Sequence, residues 1–255
     1  MTLAADEAFQ GKVALVTGGG RGFGKAFGTA LAARGAHVVL ADIDGSAAAL
    51  AAAEIADKGG SAAGAVCDVA DEAGVAAVVS QVAAEHGGID ILVNNAGLHS
   101  AAYNKPSAEI GIPSLRRLFD VNVMGVYICS LAARPVMTGR PGASIVNISS
   151  SAAYANRAAY GVSKLAVRGV TVQLAREFAA DGIRVNAIAP GLIFTDTVRA
   201  ELAPDEVARV MGQQILEREG EERDIVDALL FLVSPQASFV TGETLRVTGG
   251  FALSV

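Results

Sequence analysis

The chain has 255 residues, 20 basic and 26 acidic, for a net charge of −6, and 52% of its residues are apolar. That length supports one large α/β domain (1–255) with a sizeable core, and an acidic balance without any basic run argues against nucleic acid or an anionic membrane as partner. Cys67 and Cys129 lie in apolar segments outside any metal-ligand spacing, so a disulfide scaffold is excluded and buried thiols are expected.

In chain order, Val13–Thr17 reads as the first strand and Gly22–Ala33 as a helix. His37–Asp42 is the second strand, and Asp44–Lys58 a helix stopped by Gly59-Gly60. Ala62–Asp68 is a weaker third strand, followed by a helix over Asp71–His86 and a fourth strand over Ile89–Asn94. Pro113 announces a long helix, Ser114–Met137. Ser144–Ser149, a helix at Tyr160–Ala180, Arg184–Ala189, a helix at Glu222–Val233 and a last strand at Thr244–Val247 complete the series. The alternation predicts an α/β fold, a Rossmann-type doubly wound parallel sheet of about seven strands with helices on both faces. Leu98–Pro113 and Gly191–Met211 lack clear periodicity and read as functional loops, the second as a lid over substrate. The acidic segment 1–10 reads as a loose N-terminus without signal-peptide character, and no apolar run reaches the ~20 residues that span a bilayer. A cytoplasmic protein is expected.

Thr17-Gly18-Gly19-Gly20-Arg21-Gly22-Phe23-Gly24 follows a strand and opens a helix. Glycines there permit a tight turn and let the backbone approach a pyrophosphate seated on the helix N-terminus. A lone glycine motif is weak, but this context makes Gly18, Arg21, Gly22, Phe23 and Gly24 candidate cofactor contacts. Asp42 ends the second strand, where a carboxylate accepts from the ribose hydroxyls of NAD. It would repel a 2′-phosphate by roughly 4 kcal/mol at about 4 Å and an effective dielectric of about 20. Arg21 argues for NADP, yet as a solvated loop charge it carries less weight, so NAD is favoured. Asp68 and Val69 end the third strand beside the expected adenine, although Asp68 could equally cap the next helix. Asn94-Asn95-Ala96-Gly97 ends the fourth; its small residues allow close approach to the cofactor, with an Asn-rich turn as the plain alternative.

Tyr160 and Lys164 are four apart on a helix and share a face. An ammonium one turn from a phenol favours the phenolate and lowers its pKa from about 10, giving a general base for an alcohol. Ser150 ends the fifth strand, so it faces the same carboxyl edge of the sheet, where ligands of open α/β sheets bind.

Together these motifs resemble the short-chain dehydrogenase/reductase family, over nearly the whole chain. The glycine loop has the TGxxxGxG form, residues 94–97 the NNAG form, 160–164 the YxxxK form, and Pro190-Gly191 the PG motif after strand six; Thr248-Gly249-Gly250 stands where the family usually has Asp-Gly-Gly. The resemblance implies a catalytic tetrad of Asn122, Ser150, Tyr160 and Lys164. Tyr160 would be the acid/base and Ser150 would steady the substrate oxygen. Lys164 would bind the nicotinamide ribose, and Asn122 would hold a water linking Lys164 to solvent. It extends the cofactor site to Asn95, Ala96, Gly97, Pro190, Gly191, Ile193 and Thr195. One departure is the Ser150–Tyr160 spacing of ten residues, where the family usually shows about a dozen or slightly more.

The expected reaction is oxidation of a secondary alcohol to a ketone, or its reverse, without a metal. Pocket walls are expected from Leu98, Ala152, Tyr154, Leu192 and Phe194, with Tyr154 as readily packing under its loop, and His99 as a loop residue. Two other readings stand beside this one: an NADPH-dependent 3-oxoacyl thioester reductase and a redox-silent NAD-binding sensor or interaction protein. The long helices resemble those that family members pack into dimers and tetramers, so a homo-oligomer is expected. The apolar runs Leu229–Val233 and Phe251–Val255 fit a subunit contact, or else the intramolecular core.

Overall fold

The computed structural model describes residues 8–98, 103–155, 158–194 and 204–253, with the side chains of 204–206 outside the description. Seven parallel strands form one sheet in the order β3-β2-β1-β4-β5-β6-β7. They are β1 (Val13–Thr17), β2 (His37–Asp42), β3 (Ser61–Val66), β4 (Ile91–Asn94), β5 (Ser144–Ile148), β6 (Arg184–Pro190) and β7 (Thr244–Val247). The helices are α1 (Gly22–Ala32), α2 (Gly45–Asp57), α3 (Glu72–His86), α4 (Ile112–Phe119), α5 (Gly125–Met137), α6 (Ala159–Glu177), α7 (Pro204–Met211) and α8 (Glu222–Val233).

β1 shows why both faces are covered. Its alternate residues enter two different cores: Val13 and Leu15 pack with α3, α5 and α6, while Ala14 and Val16 pack with α1, α2 and α8. A strand buried on both faces must be apolar throughout, as VALVT nearly is. The chain leaves β1 toward β2 and β3 on one side and returns to β4 on the other. That places a topological switch point between the carboxyl ends of β1 and β4, which are paired as Val16 with Val93.

The expected long helix over 114–137 is divided. α4 starts at Ile112, with Pro113 in its first turn, and a π-helical turn spans Asp120–Met124 before α5. π-turns of this kind often mark functional sites, and this one carries Asn122. Both stretches read as irregular contain helix: a single turn at Ser107–Ile110 and the amphipathic α7. A further turn, Ala152–Ala155, occupies the short Ser150–Tyr160 segment. β3 ends at Val66 rather than Asp68, because the Asp68 carboxylate accepts from Ala70 N–H at 3.0 Å and turns the chain. Of the two apolar runs, Leu229, Leu232, Val233 and Phe251 are buried in the core, while Phe231 and Leu253 remain exposed.

Candidate active site

The glycine loop is built around two close approaches. Gly18 has φ +63°, and a Cβ there would lie 2.9 Å from Ala96 Cα; a Cβ on Gly24 would lie 2.0 Å from Gly18 O. Asn95 Nδ2 donates to Thr17 O and Gly18 O, both at 3.0 Å, and Thr17 Oγ1 accepts from Asn95 N–H and Ala96 N–H, each at 3.1 Å. The ends of β1 and β4 are thereby locked together, with Asn95 and Ala96 serving the loop through these bonds. Gly22 opens α1 at φ +51°, and a Cβ there would meet nothing within 4 Å. The N-cap, Arg21, is exposed and supplies no side-chain bond, so the α1 N-terminus carries no side-chain cap. An uncapped N-terminus beside glycines fits the pyrophosphate of a dinucleotide. Phe23 packs against Phe27, with ring centroids 6.1 Å apart.

Asp42 stands beside the loop. Its Oδ2 accepts from Gly20 N–H at 2.9 Å and its Oδ1 from Asp44 N–H at 3.0 Å, so the carboxylate is held in place at the end of β2. Asp68 is engaged elsewhere. Besides the Ala70 bond it pairs with Arg117 at 2.9 Å, and these contacts hold its carboxyl below the usual carboxylate range. Asp71, not Asp68, caps α3, through Ala73 N–H. Val69 is buried against Gly125. Pro190 closes β6, and Gly191 passes so near Thr248 that a Cβ would lie 2.7 Å from its Cα. Ile193 is buried and its backbone bridges to Gly220. Thr195 and His99 lie outside the described residues.

The tetrad residues meet at the carboxyl edge of β4 and β5. Ser149 and Ser150 diverge as strand alternation requires. Ser149 is buried and donates to Lys164 O at 2.8 Å; Ser150 Oγ accepts from Ala152 N–H at 3.1 Å, and Ser150 is near enough to Tyr160 to draw its phenol's pKa down. Lys164 is buried, donates from Nζ to Ile148 O at 2.8 Å, and lies 5.9 Å from the Tyr160 ring centroid. Asn122 is buried; its Oδ1 accepts from Leu98 N–H at 2.7 Å, and its Nδ2 donates to Ser163 Oγ at 3.1 Å. A Cβ on Gly97 would be 3.3 Å from both Asn122 Oδ1 and Lys164 Nζ, so Gly97 is the floor between them.

Electrostatics correct one expectation. Burial pushes the Tyr160 phenol above its ordinary value, with nearby Ser150 pulling the other way. Burial lowers Lys164 to about 8. The lysine's charge is therefore not what governs the phenol here; desolvation outweighs it.

Tyr154 is clasped between Arg168, 4.0 Å from the ring centroid, and Arg246 at 5.0 Å. It packs against α6 and β7 rather than forming a pocket wall with Leu192. Leu192 instead lines a cavity of about 600 Å³ with Gln214, Arg218, Arg246, Thr248 and Leu253. Sequence reasoning missed a buried polar relay behind the site: Asn94 Nδ2 donates to Asn147 Oδ1 and Ser130 Oγ, and Asn147 Nδ2 to Thr171 Oγ1. Polar residues at apolar strand and helix positions were the available signal. Cys67 and Cys129 are buried and unpaired. Among the described residues no group of three His, Cys, Asp or Glu could hold a metal ion, and no helix is long and apolar enough to cross a membrane.

A family model described as Enoyl-(Acyl carrier protein) reductase matches residues 18–252. The chain is an oxidoreductase of the short-chain dehydrogenase/reductase family. It is 42% identical to an oxidoreductase of Mycobacterium tuberculosis over 95% of this chain and 98% of that one. It is 36% identical to the 7alpha-hydroxysteroid dehydrogenase of Escherichia coli over 94% of each. A solved 7α-hydroxysteroid dehydrogenase complexed with NADH and 7-oxo glycochenodeoxycholic acid superposes with a TM-score of 0.91 at 33% identity, covering 100% of this chain and 99% of that one. A blue fluorescent protein from a metagenomic library, in complex with NADPH, gives 0.87 at 36%, covering 97% and 100%. Neighbours of this short-chain dehydrogenase/reductase thus bind either nicotinamide cofactor.

Proposed function

We propose that the chain interconverts a secondary alcohol and a ketone with NAD(H), using Tyr160 as the acid/base. The observation that carries this is a buried Lys164 set 5.9 Å from the Tyr160 ring, with Ser150 near enough to draw the phenol's pKa down, at the sheet edge from which the glycine loop also leaves β1. Bound NAD would supply the hydride acceptor at this edge. Gly18, Gly22 and Gly24 would admit its pyrophosphate to the α1 N-terminus, and Asp42 would receive the ribose hydroxyls, excluding a 2′-phosphate. Val69, Asn95, Ala96, Pro190, Gly191, Ile193 and Thr195 would complete the cradle, while Asp68, already committed to Ala70 and Arg117, contributes through the turn it makes.

Tyr160 takes the hydroxyl proton in oxidation and returns it in reduction. Ser150 donates to the substrate oxygen and steadies the charge on it. Lys164, whose Nζ donates to Ile148 O, would reach the nicotinamide ribose, and Asn122 lies beside Gly97. A hydroxysteroid dehydrogenase among the relatives supports an apolar, alicyclic substrate. Exposed Met124, Leu131, Val162, Leu165 and Val172 on the π-turn, α5 and α6 support a homo-oligomer, dimer or tetramer.

The matching family model's description favours a second reading, NADPH-dependent reduction of an acyl thioester. The deciding experiment follows reduced nicotinamide absorbance with a panel of alicyclic alcohols and 3-oxoacyl thioesters, each with NAD(H) and NADP(H), for the wild type and Tyr160→Phe. Turnover of alcohols with NAD, lost in the variant, supports the first reading; turnover confined to thioesters with NADPH replaces it with the second. Tight NADH binding with no turnover of either panel points to a binding protein.

A further inference from the structure

Ser163 lies between Tyr160 and Lys164 in sequence, is fully buried, and belongs to none of the roles above. Its Oγ donates to Tyr160 O at 2.7 Å and accepts from Asn122 Nδ2 at 3.1 Å. The direction is fixed. A hydroxyl has one proton, and the Tyr160 carbonyl can only accept, so Asn122 must be the donor. The remaining partner of Asn122 Nδ2 is Leu98 O at 3.4 Å, a weak contact. A continuous relay therefore runs from Leu98 N–H through Asn122 and Ser163 to the carbonyl of Tyr160, joining the end of β4, the π-turn and the first turn of α6. That first turn needs an anchor, because its N-cap, Ala158, provides no side-chain bond.

We propose that Ser163 is a positioning residue whose hydroxyl couples the Asn122 amide to the main chain of Tyr160 and so sets where the phenol stands against Ser150 and Lys164. The proposal rests on the acid/base reading of Tyr160. Without the hydroxyl, Asn122 keeps only its Leu98 contacts, the first turn of α6 loses its tie to the π-turn, and the phenol is free to move away from Ser150. Ser150 is the neighbour that draws the Tyr160 phenol's pKa down against burial, so a phenol displaced from Ser150 titrates higher.

The test is a near-ultraviolet phenolate titration of Tyr160, taken as the difference between each protein and its Tyr160→Phe counterpart, in Ser163→Ala, Ser163→Thr and the wild type. It needs no substrate. Turnover and thermal midpoints are measured alongside. In Ser163→Ala the Tyr160 titration should rise by about half a unit or more, about three-fold less phenolate at a given pH. The oxidation kcat should drop roughly three- to ten-fold with KM for NAD within about two-fold. Ser163→Thr, which keeps the hydroxyl, should restore both; if it does not fold, Ser163→Cys, with a weaker donor, should fall between. An unmoved titration in Ser163→Ala, a Thr variant that behaves like Ala, or a shift in the thermal midpoint alone would overturn the proposal. A wild type without turnover would instead defeat the alcohol dehydrogenase reading, while the titration still decides the role of Ser163.

Discussion

Burial acts on Tyr160 and Lys164 in opposite senses, raising the phenol and lowering the ammonium to about 8. A phenol held high is a ready acid at neutral pH and a poor base. Reduction should therefore run well near neutrality, and the oxidation rate should climb as pH rises into the alkaline range, measured as kcat against pH in both directions. Tyr160→Phe should lower kcat by about a hundredfold or more while NADH fluorescence still reports binding. Lys164 has the reverse consequence for stability. Its displacement from 10.5 to about 8 corresponds to about 3 kcal/mol against the charged form. Because the folded value lies below the unfolded one, the penalty is fully present below about pH 8 and is relieved as pH rises toward the unfolded value. Lys164→Met should raise the thermal midpoint at pH 7 and abolish turnover; a lower midpoint would contradict the burial argument. The Tyr160–Lys164 pair was legible as a four-residue helical spacing. Their titration was not, since desolvation depends on what the rest of the chain packs around them.

Elements show the same division. β1, β2, β7 and α8 begin and end where the strand and helix signals place them, because apolar runs, caps and glycine stops are local. The Ser114–Met137 helix did not survive intact. Its π-turn admits Asn122 to Leu98 and Ser163, contacts 24 and 41 residues away in sequence that no local pattern encodes. In the glycine loop, Gly24→Ala would drive a Cβ onto Gly18 O; the loop must shift, and NADH affinity should fall at least about tenfold, read by fluorescence titration. At α8, Asp224 completes a capping box with Glu221 and is paired with Arg218, which holds its carboxyl at about 2. Asp224→Ala should destabilise by about 1 kcal/mol in denaturant titrations at pH 7. The difference should fade as pH drops from about 4 through about 2, because a carboxyl depressed in the folded state contributes only while ionised.

At the scale of the molecule, exposed Leu131 on α5 and Val172 on α6 are the residues a subunit contact would cover. Leu131→Glu with Val172→Glu should shift the sedimentation coefficient to that of a monomer; an unchanged coefficient would remove these helices from any interface. The chain's order of strands and helices determined the parallel sheet, and its glycine loop, Asp42, Asn94–Gly97, Ser150 and YxxxK motifs pointed to the carboxyl edge of that sheet as the candidate site. Each of those signals is local, written in periodicity, turn residues or a spacing of one helical turn. Tertiary structure alone decided that Asp68 turns a corner and pairs with Arg117, that Tyr154 lies beside two arginines, that Leu229, Leu232 and Val233 enter the core while Phe231 does not, and that Ser163 joins Asn122 to Tyr160. Those outcomes depend on contacts between residues far apart in the chain, where the partner of a polar or apolar side chain is fixed by packing and not by its neighbours in sequence.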